Sequence, residues 1–351
     1  MVSDRYEPAA FKSRVDGVLE WFVGREAERL VAIDADLAPV ARRLDAAVAH
    51  GKRLRAAFCY WGWRATGQPD SDALLRAAAS MELVHAAAVV HDDIIDDSPI
   101  RHGRPTAHVA LRAGTPPGPR ADAAGRSLAM LVGDLLISLA GELFTTSGLP
   151  CAYLARGRPL WATLARELVA GECLEILRTG SVPDTADSLK VIRYKTAKYT
   201  VEHPLQIGGA LGGADRRLRE AFSGYGLPLG EAFQLRDDLL GLFGDPARTG
   251  KDNLDDIRAH RPTALLAETW RAADATDRRE LRRVLGRDRL GSEELERVRA
   301  IMRRSGAPAR VEEMIAARVR EAGEALDGAR MPSDAVRALT ELAHGAAVRH
   351  H

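Results

Sequence analysis

The chain has 351 residues, 46% hydrophobic and 28% charged, a balance typical of a globular protein with a sizeable core. Fifty Lys+Arg against 49 Asp+Glu leave a net charge of +1, which excludes a global attraction to nucleic acid or an anionic membrane surface. Three cysteines (Cys59, Cys151, Cys173), odd in number and without CxxC spacing, argue against a disulfide framework or a zinc site. The opening MVSDRYEPAAFKSRVDG lacks the apolar centre of a signal peptide, and no uninterrupted apolar run nears the roughly 18 residues of a membrane span. A cytoplasmic protein with no stable membrane insertion is the expectation.

In chain order nearly every segment carries helical periodicity, and strand alternation is scarce. FKSRVDGVLEWFVGREAERLVAI and DLAPVARRLDAAVAHG predict two amphipathic helices, the second closed by Gly51. Residues 53–66 and 71–97 predict two more, and GTPPGPRADAAG (114–125) predicts a loop. Long helices are expected over 126–147, 159–179, 186–212 and 215–243, then a loop at 244–256, then shorter charged helices. No linker composition interrupts the chain. The expected fold is therefore all-α, one large helical bundle forming a single domain over 1–351, with flexible ends near 1–10 and 346–351.

The chemistry concentrates at helix ends. HDDIIDDSPIRHGRPT (91–106) places four aspartates where an apolar helix stops. Asp92 and Asp96 stack on one helix face and Asp93 and Asp97 on the next, each pair repelling at the negative end of the dipole. Something positive should offset them. The pattern recurs as RDDLL (236–240), also ending an apolar helical run, so two acidic helix ends are available to face one cavity. Carboxylates are hard ligands that hold Mg²⁺ together with water and phosphate oxygens. GKRLR (51–55), RHGRPT, YKTAKYT with Lys195 and Lys198, and TGKD with Lys251 supply the cations a diphosphate would need.

In this order GKRLR, MELVHAAAVVHDDIIDDSPIRHGRPT, YKTAKYT, FQLRDDLLGLFGD and TGKD resemble the motifs of the trans-isoprenyl diphosphate synthases (polyprenyl synthetases), most like those that make geranylgeranyl diphosphate. The resemblance implies the isoprenoid synthase fold, an all-α bundle with a deep central cavity, usually a homodimer. It implies a prenyltransferase that condenses isopentenyl diphosphate head to tail with an allylic diphosphate, both bound as substrates. By the same resemblance Asp92, Asp96 and Asp237 bind Mg²⁺, three ions in the substrate complex, with Asp93 and Asp238 supporting. Arg101, Lys195 and Lys251 hold the allylic diphosphate. Lys52, Arg55, His85 and His102 belong to the isopentenyl diphosphate site, and Thr196 and Gln234 face the reacting carbons. The implied chemistry is ionisation of the allylic C–O bond, attack by the second substrate's double bond, and proton loss to the departing pyrophosphate, with water excluded.

Two positions depart from the family pattern. His102 stands where a second arginine is usual, which weakens that contact or makes it pH-sensitive unless Arg104 compensates. Gly241 stands where the second motif has its last aspartate, and Asp245 is a candidate substitute. Product length is read from the helix wall before Asp92, where Ala88, Ala87, Val84 and Met81 offer no large aromatic stop. On the family's rule that favours a product of about twenty carbons or more, geranylgeranyl diphosphate being the central reading, over a farnesyl-length one, unless Leu128 or Leu131 sets the floor. Alternatives are a synthase of longer or shorter chains and a class I terpene cyclase of the same fold. A cyclase needs no second diphosphate pocket, so GKRLR and His85 favour the synthase. An HD-type phosphohydrolase would leave the second acidic motif unexplained, and a non-catalytic subunit would have lost its acidic motifs.

Overall fold

A computed structural model describes residues 7–112, 118–244, 255–285 and 290–347. The elements are α1 (Pro8–Ile33), α2 (Ala38–Val48), α3 (Leu54–Arg64), α4 (Asp72–Ile95), a minimal hairpin of β1 (Ile100–Arg101) and β2 (Arg104–Pro105), α5 (Ala107–Ala110), α6 (Pro119–Thr145) and α7 (Cys151–Arg178). After α8 (Thr185–Ile192) comes a π-helical stretch (Arg193–Glu202), then α9 (His203–Gly212) and α10 (Arg216–Phe243). The remainder is α11 (Asp255–Arg258), α12 (Ala264–Ala272), α13 (Ala275–Val284), α14 (Ser292–Ser305), α15 (Ala307–Asp327) and α16 (Ser333–Ala347). The all-α expectation therefore holds. At the chain ends, residues 1–6 and 348–351 lie outside the described set, while Pro8 already opens α1 and Ala347 closes α16.

Packing divides the chain into two compact units, residues 1–157 with 208–213, and residues 158–207 with 214–351. In the first, α4 packs along α6 and against α3, and α1 packs on α2. Its buried core draws on Leu19 and Phe22 of α1, Leu44 of α2, Phe58 of α3, Met81 and Leu83 of α4 and Leu136 of α6. Each such side chain contributes about 1.5–3 kcal/mol by leaving water. Ser71 starts α4 by accepting the Leu74 N–H at 3.3 Å. Helix α6 approaches α4 closely at Gly133, where any Cβ would strike the His91 ring.

Helix α6 begins at Pro119, so the second half of the loop expected over 114–125 is helical. Gly118, at φ +146°, supplies the N-cap backbone, and Pro119 follows at the first helical position, where its missing N–H costs nothing. Residues 113–117 lie outside the described set. Helices α4 and α6 are long and apolar enough to cross a membrane; 72% of the apolar window of α4 is buried inside the protein and 44% of that of α6. The difference lies in Met130, Leu131 and Ile137, which α6 leaves exposed.

In the second unit α10 is central, packed by α15 and by the π-helical stretch. Asp215 caps α10 by accepting the Leu218 N–H at 2.8 Å. The helix expected over 186–212 widens in its middle, and there His203 N–H bonds the Lys198 carbonyl five residues back. Pro204 has no N–H to continue an α-ladder at that point. Gly226 and Gly230 let α10 approach this stretch; a Cβ at Gly226 would lie 2.8 Å from Glu202 Cα, and one at Gly230 would lie 2.7 Å from Ala197 Cβ.

Candidate active site

In the first unit the acidic motif spans the end of α4 and the turn after it. Asp92 and Asp93 lie in the last helical turn, Asp96 is the C-cap residue, and Asp97 is left-handed at φ +52°. Two arginines supply the counter-charge, Arg101 to Asp93 and Asp92, and Arg126 to Asp97. Arg101, at the end of β1, donates its Nε to Asp93 Oδ1 at 2.9 Å and its Nη2 to the same oxygen at 2.5 Å, and Nη2 reaches Asp92 Oδ2 at 3.4 Å. Asp93 is buried, so its partner is a fork already fixed in place. Arg126 of α6 donates to Asp97 Oδ1 at 2.6 Å and to the Ile94 carbonyl at 3.0 Å, closing the helix end. Asp92 and Asp96 remain half-buried.

The turn between β1 and β2 is His102–Gly103, with φ +51° and +72°, the geometry of a two-residue hairpin that reverses the chain between Arg101 and Arg104. Histidine tolerates that left-handed position better than most residues. His102 and Arg104 are both exposed.

His85 lies on the Asp92 face two turns earlier and is half-buried. Burial, and then the charges of Arg55, Arg101 and Arg53, push its imidazole well below the usual histidine value, with Asp92 opposing. It is therefore a neutral donor at physiological pH. In GKRLR, Lys52 is exposed, while Arg55 and Arg53 are buried. Of the wall residues, Ala88 and Val84 are half-buried, whereas Ala87 (0%) and Met81 (1%) have almost no accessible surface. Leu128 is half-buried and Leu131 exposed.

In the second unit, Thr196 of the π-helical stretch donates to Gln234 Oε1 at 2.9 Å, and Gln234 Nε2 donates to Asp238 Oδ1 at 2.8 Å. Asp238 is buried and Asp237 half-buried one residue before it. This run of hydrogen bonds joins three residues that the resemblance implied, drawn from two separate motifs. Gly241 lies near the end of α10, where the family pattern has an aspartate. Lys251 and Asp245 lie outside the described residues. Lys198 is committed elsewhere, to Glu167 at 3.0 Å and Glu202 at 3.4 Å, with His203 Nε2 also on Glu167 at 2.6 Å.

Three acids were not singled out from sequence. Glu172 and Glu175, three apart on α7, both pair with the Lys195 ammonium, Glu172 at 2.9 Å. Gly171 makes that possible by letting α7 approach the Lys195 backbone; its Cβ would lie 2.6 Å from Lys195 Cα. The legible signal is a pair of acids in the otherwise apolar run LVAGECLEIL (168–177). Glu82, the lone acid of MELVHAAAVV, is buried and accepts the Ala56 N–H at 2.9 Å.

Asp92 and Asp96 in the first unit, and separately Asp237 in the second, offer only carboxylate oxygens, hard and anionic. That fits Mg²⁺ and not a thiolate- or imidazole-bound transition metal.

Comparison with known proteins agrees. The sequence model of the polyprenyl synthetase family matches residues 39–302. The chain is similar to the geranylfarnesyl diphosphate synthase of Aeropyrum pernix, 31% identical over 74% of this chain and 77% of that one. It is also similar to the (2E,6E)-farnesyl diphosphate synthase of Mycobacterium tuberculosis, 34% identical over 64% of this chain and 57% of that one. In structure it resembles the geranylgeranyl pyrophosphate synthase of Corynebacterium glutamicum, solved with isoprenyl diphosphate and magnesium. The TM-score is 0.93 at 31% identity, covering 98% of this chain and 100% of the other.

Proposed function

The chain belongs to the polyprenyl synthetase family and is a trans-prenyl diphosphate synthase, and on that premise we propose that its product is geranylgeranyl diphosphate. Its substrates are isopentenyl diphosphate and an allylic diphosphate. The relatives make products of several lengths, so length has to be argued from the chain itself. The observation that carries the reading is the face of α4 shared with Asp92. Ala88 and Val84, one and two turns before it, are half-buried and small, and no Phe, Tyr or Trp lies between them in the chain. A growing chain of about twenty carbons meets no stop there.

Asp92 and Asp96, and in the second unit Asp237, would hold three Mg²⁺ ions, with Asp93 and Asp238 behind them. When bound, such ions neutralise the charge that develops on a leaving diphosphate. Arg101, Lys195 and Lys251 bind that diphosphate, supported by the way Asp93 fixes Arg101 and Glu172 and Glu175 fix Lys195. Lys52, Arg55, His85 and His102 bind isopentenyl diphosphate; a neutral His85 donates a hydrogen bond without adding to the arginine charge around it. Thr196 and Gln234, held by one hydrogen bond, sit beside the reacting carbons. The enzyme acts as a homodimer, a reading supported by the apolar residues exposed on α6 and α7.

The test is to incubate the protein with Mg²⁺, isopentenyl diphosphate and, in turn, dimethylallyl, geranyl and farnesyl diphosphate, and to identify products by mass. A twenty-carbon diphosphate from all three is the expected result. Accumulation of a fifteen-carbon product, or growth well past twenty carbons, would overturn the assignment of length.

A further inference from the structure

The GKRLR segment contains one arginine to which the proposed site gives no task. Arg53 is the N-cap residue of α3, left-handed at φ +56° and ψ +36°, a conformation that a residue with a Cβ keeps only under constraint. Its side chain turns inward and is 5% exposed. Nε donates to Asp16 Oδ1 of α1 at 2.7 Å, Nη1 to the His50 carbonyl at 2.9 Å, and Nη2 to the Val48 carbonyl at the end of α2. Gly51, at φ +133°, lies under the guanidinium, and a Cβ there would come to 3.1 Å of Nη1.

The other end of the clamp is Glu82 of α4. Arg53 offers α3 no side-chain cap, and Glu82 supplies one by accepting the N–H of Ala56, the third residue of the helix. Its second oxygen stands 4.0 Å from Arg53 Nη1, and its side chain is 2% exposed. Removing either charge leaves the other buried with reduced compensation, and frees a segment with two positive-φ residues. Lys52 directly precedes Arg53 on that segment, and Arg55 follows two residues on.

We infer that Arg53 and Glu82 are positioning residues for isopentenyl diphosphate: they lock residues 48–56 to α1, α2 and α4, so that Lys52 and Arg55 meet its diphosphate in a fixed register. The inference rests on the assignment of Lys52 and Arg55 proposed above, and it predicts a selective effect. Diphosphate binding by two cations on one short segment depends on their spacing, so a loosened segment weakens that substrate's site without reaching the allylic one.

The experiment measures KM for isopentenyl diphosphate and for the allylic diphosphate, with Mg²⁺, in wild type, Arg53→Gly, Glu82→Gln and Lys52→Ala. Glycine keeps the left-handed backbone without strain and removes only the clamp. Glutamine keeps an acceptor for the Ala56 N–H and removes only the charge. Both should raise KM for isopentenyl diphosphate by roughly tenfold while the allylic KM stays within about twofold. Arg53→Lys, which keeps the charge and loses the fork, should fall between. If both KM values move together, or neither moves, the pair is merely structural and the inference fails. If Lys52→Ala itself leaves the isopentenyl diphosphate KM unmoved, the site assignment fails instead. Should Arg53→Gly not fold, Glu82→Gln decides by the same criteria.

Discussion

Ala88 shares the helix face of Asp92, one turn before it, whereas its neighbour Ala87 is sealed inside the first unit at 0% exposure. The same substitution should therefore do different things at the two positions. Ala88→Phe places a ring on the half-open face and should shorten the product to about fifteen carbons, read by mass spectrometry. Ala87→Phe overpacks a closed core, costing at least about 1–3 kcal/mol and lowering Tm. A shortened product from Ala87→Phe in a fully stable protein would reverse this assignment of the wall. His85 gives a second test at the same scale. Burial, and then Arg55, Arg101 and Arg53, hold its folded-state value well below that of the unfolded chain, near 6.5. As pH falls below that unfolded value the unfolded chain takes up a proton that the folded one refuses. Stability is then lost, at up to about 1.4 kcal/mol per pH unit, and above about pH 7 it is unaffected. Glutamine does not titrate. The Tm of wild type relative to His85→Gln should therefore drop progressively between pH 7 and 5, while His108 and His260, also depressed, contribute alike to both proteins. Parallel curves would show that His85 is not held neutral by its surroundings.

At the scale of elements, the π-helical stretch is the one that sets the second unit's site. It carries Lys195 and Thr196, and its position depends on how closely α7 and α10 approach it. Gly230 lies one turn before Gln234 on α10, opposite Ala197, so Gly230→Ala drives the two backbones apart beside the Thr196–Gln234 hydrogen bond. The expected result is a loss of about 1–3 kcal/mol in urea melts together with a fall in kcat. Gly323→Ala in α15, where a Cβ meets nothing within 4 Å, should instead be neutral or add up to about 1 kcal/mol. If Gly230→Ala behaves like Gly323→Ala, the close approach has no role. The sequence predicts one continuous helix over 186–212, because α- and π-turns bury the same residue types and a slip of one hydrogen bond leaves no mark in the apolar pattern. The start of α6 was hidden for another reason: Gly118–Pro119 signals both a turn and a helix entry, and only packing decides between them.

At the scale of the whole molecule, what was legible were the residues whose chemistry is local to a motif: the two acidic helix ends, GKRLR, and Thr196 with Gln234 and Asp238. What was not legible were their partners, since Arg53 reaches Asp16 across 37 positions and Lys195 reaches Glu175 across 20. No spacing rule pairs residues so far apart. The exposed apolar faces raise a further question of assembly. Helix α6 exposes Met130, Leu131 and Ile137, and α7 exposes Val169, Ile176 and Leu177. Positions 169, 173 and 176 fall at helical spacing, so Cys173 stands in the α7 stripe and is exposed in the single chain. Large apolar side chains left outward on two long helices are what a stable symmetric interface buries. Light scattering of the wild-type protein should give twice the chain mass, and Leu177→Asp, which puts an unpaired charge in the stripe, should give the mass of one chain. In the dimer Cys173 should resist a thiol reagent and in the variant it should react. Cys59, buried in the first unit with its thiol pushed up to about 12, should stay silent in both until the protein unfolds. A wild type that already runs at the mass of one chain, with a reactive Cys173, would mean that these faces are not joined to a second copy.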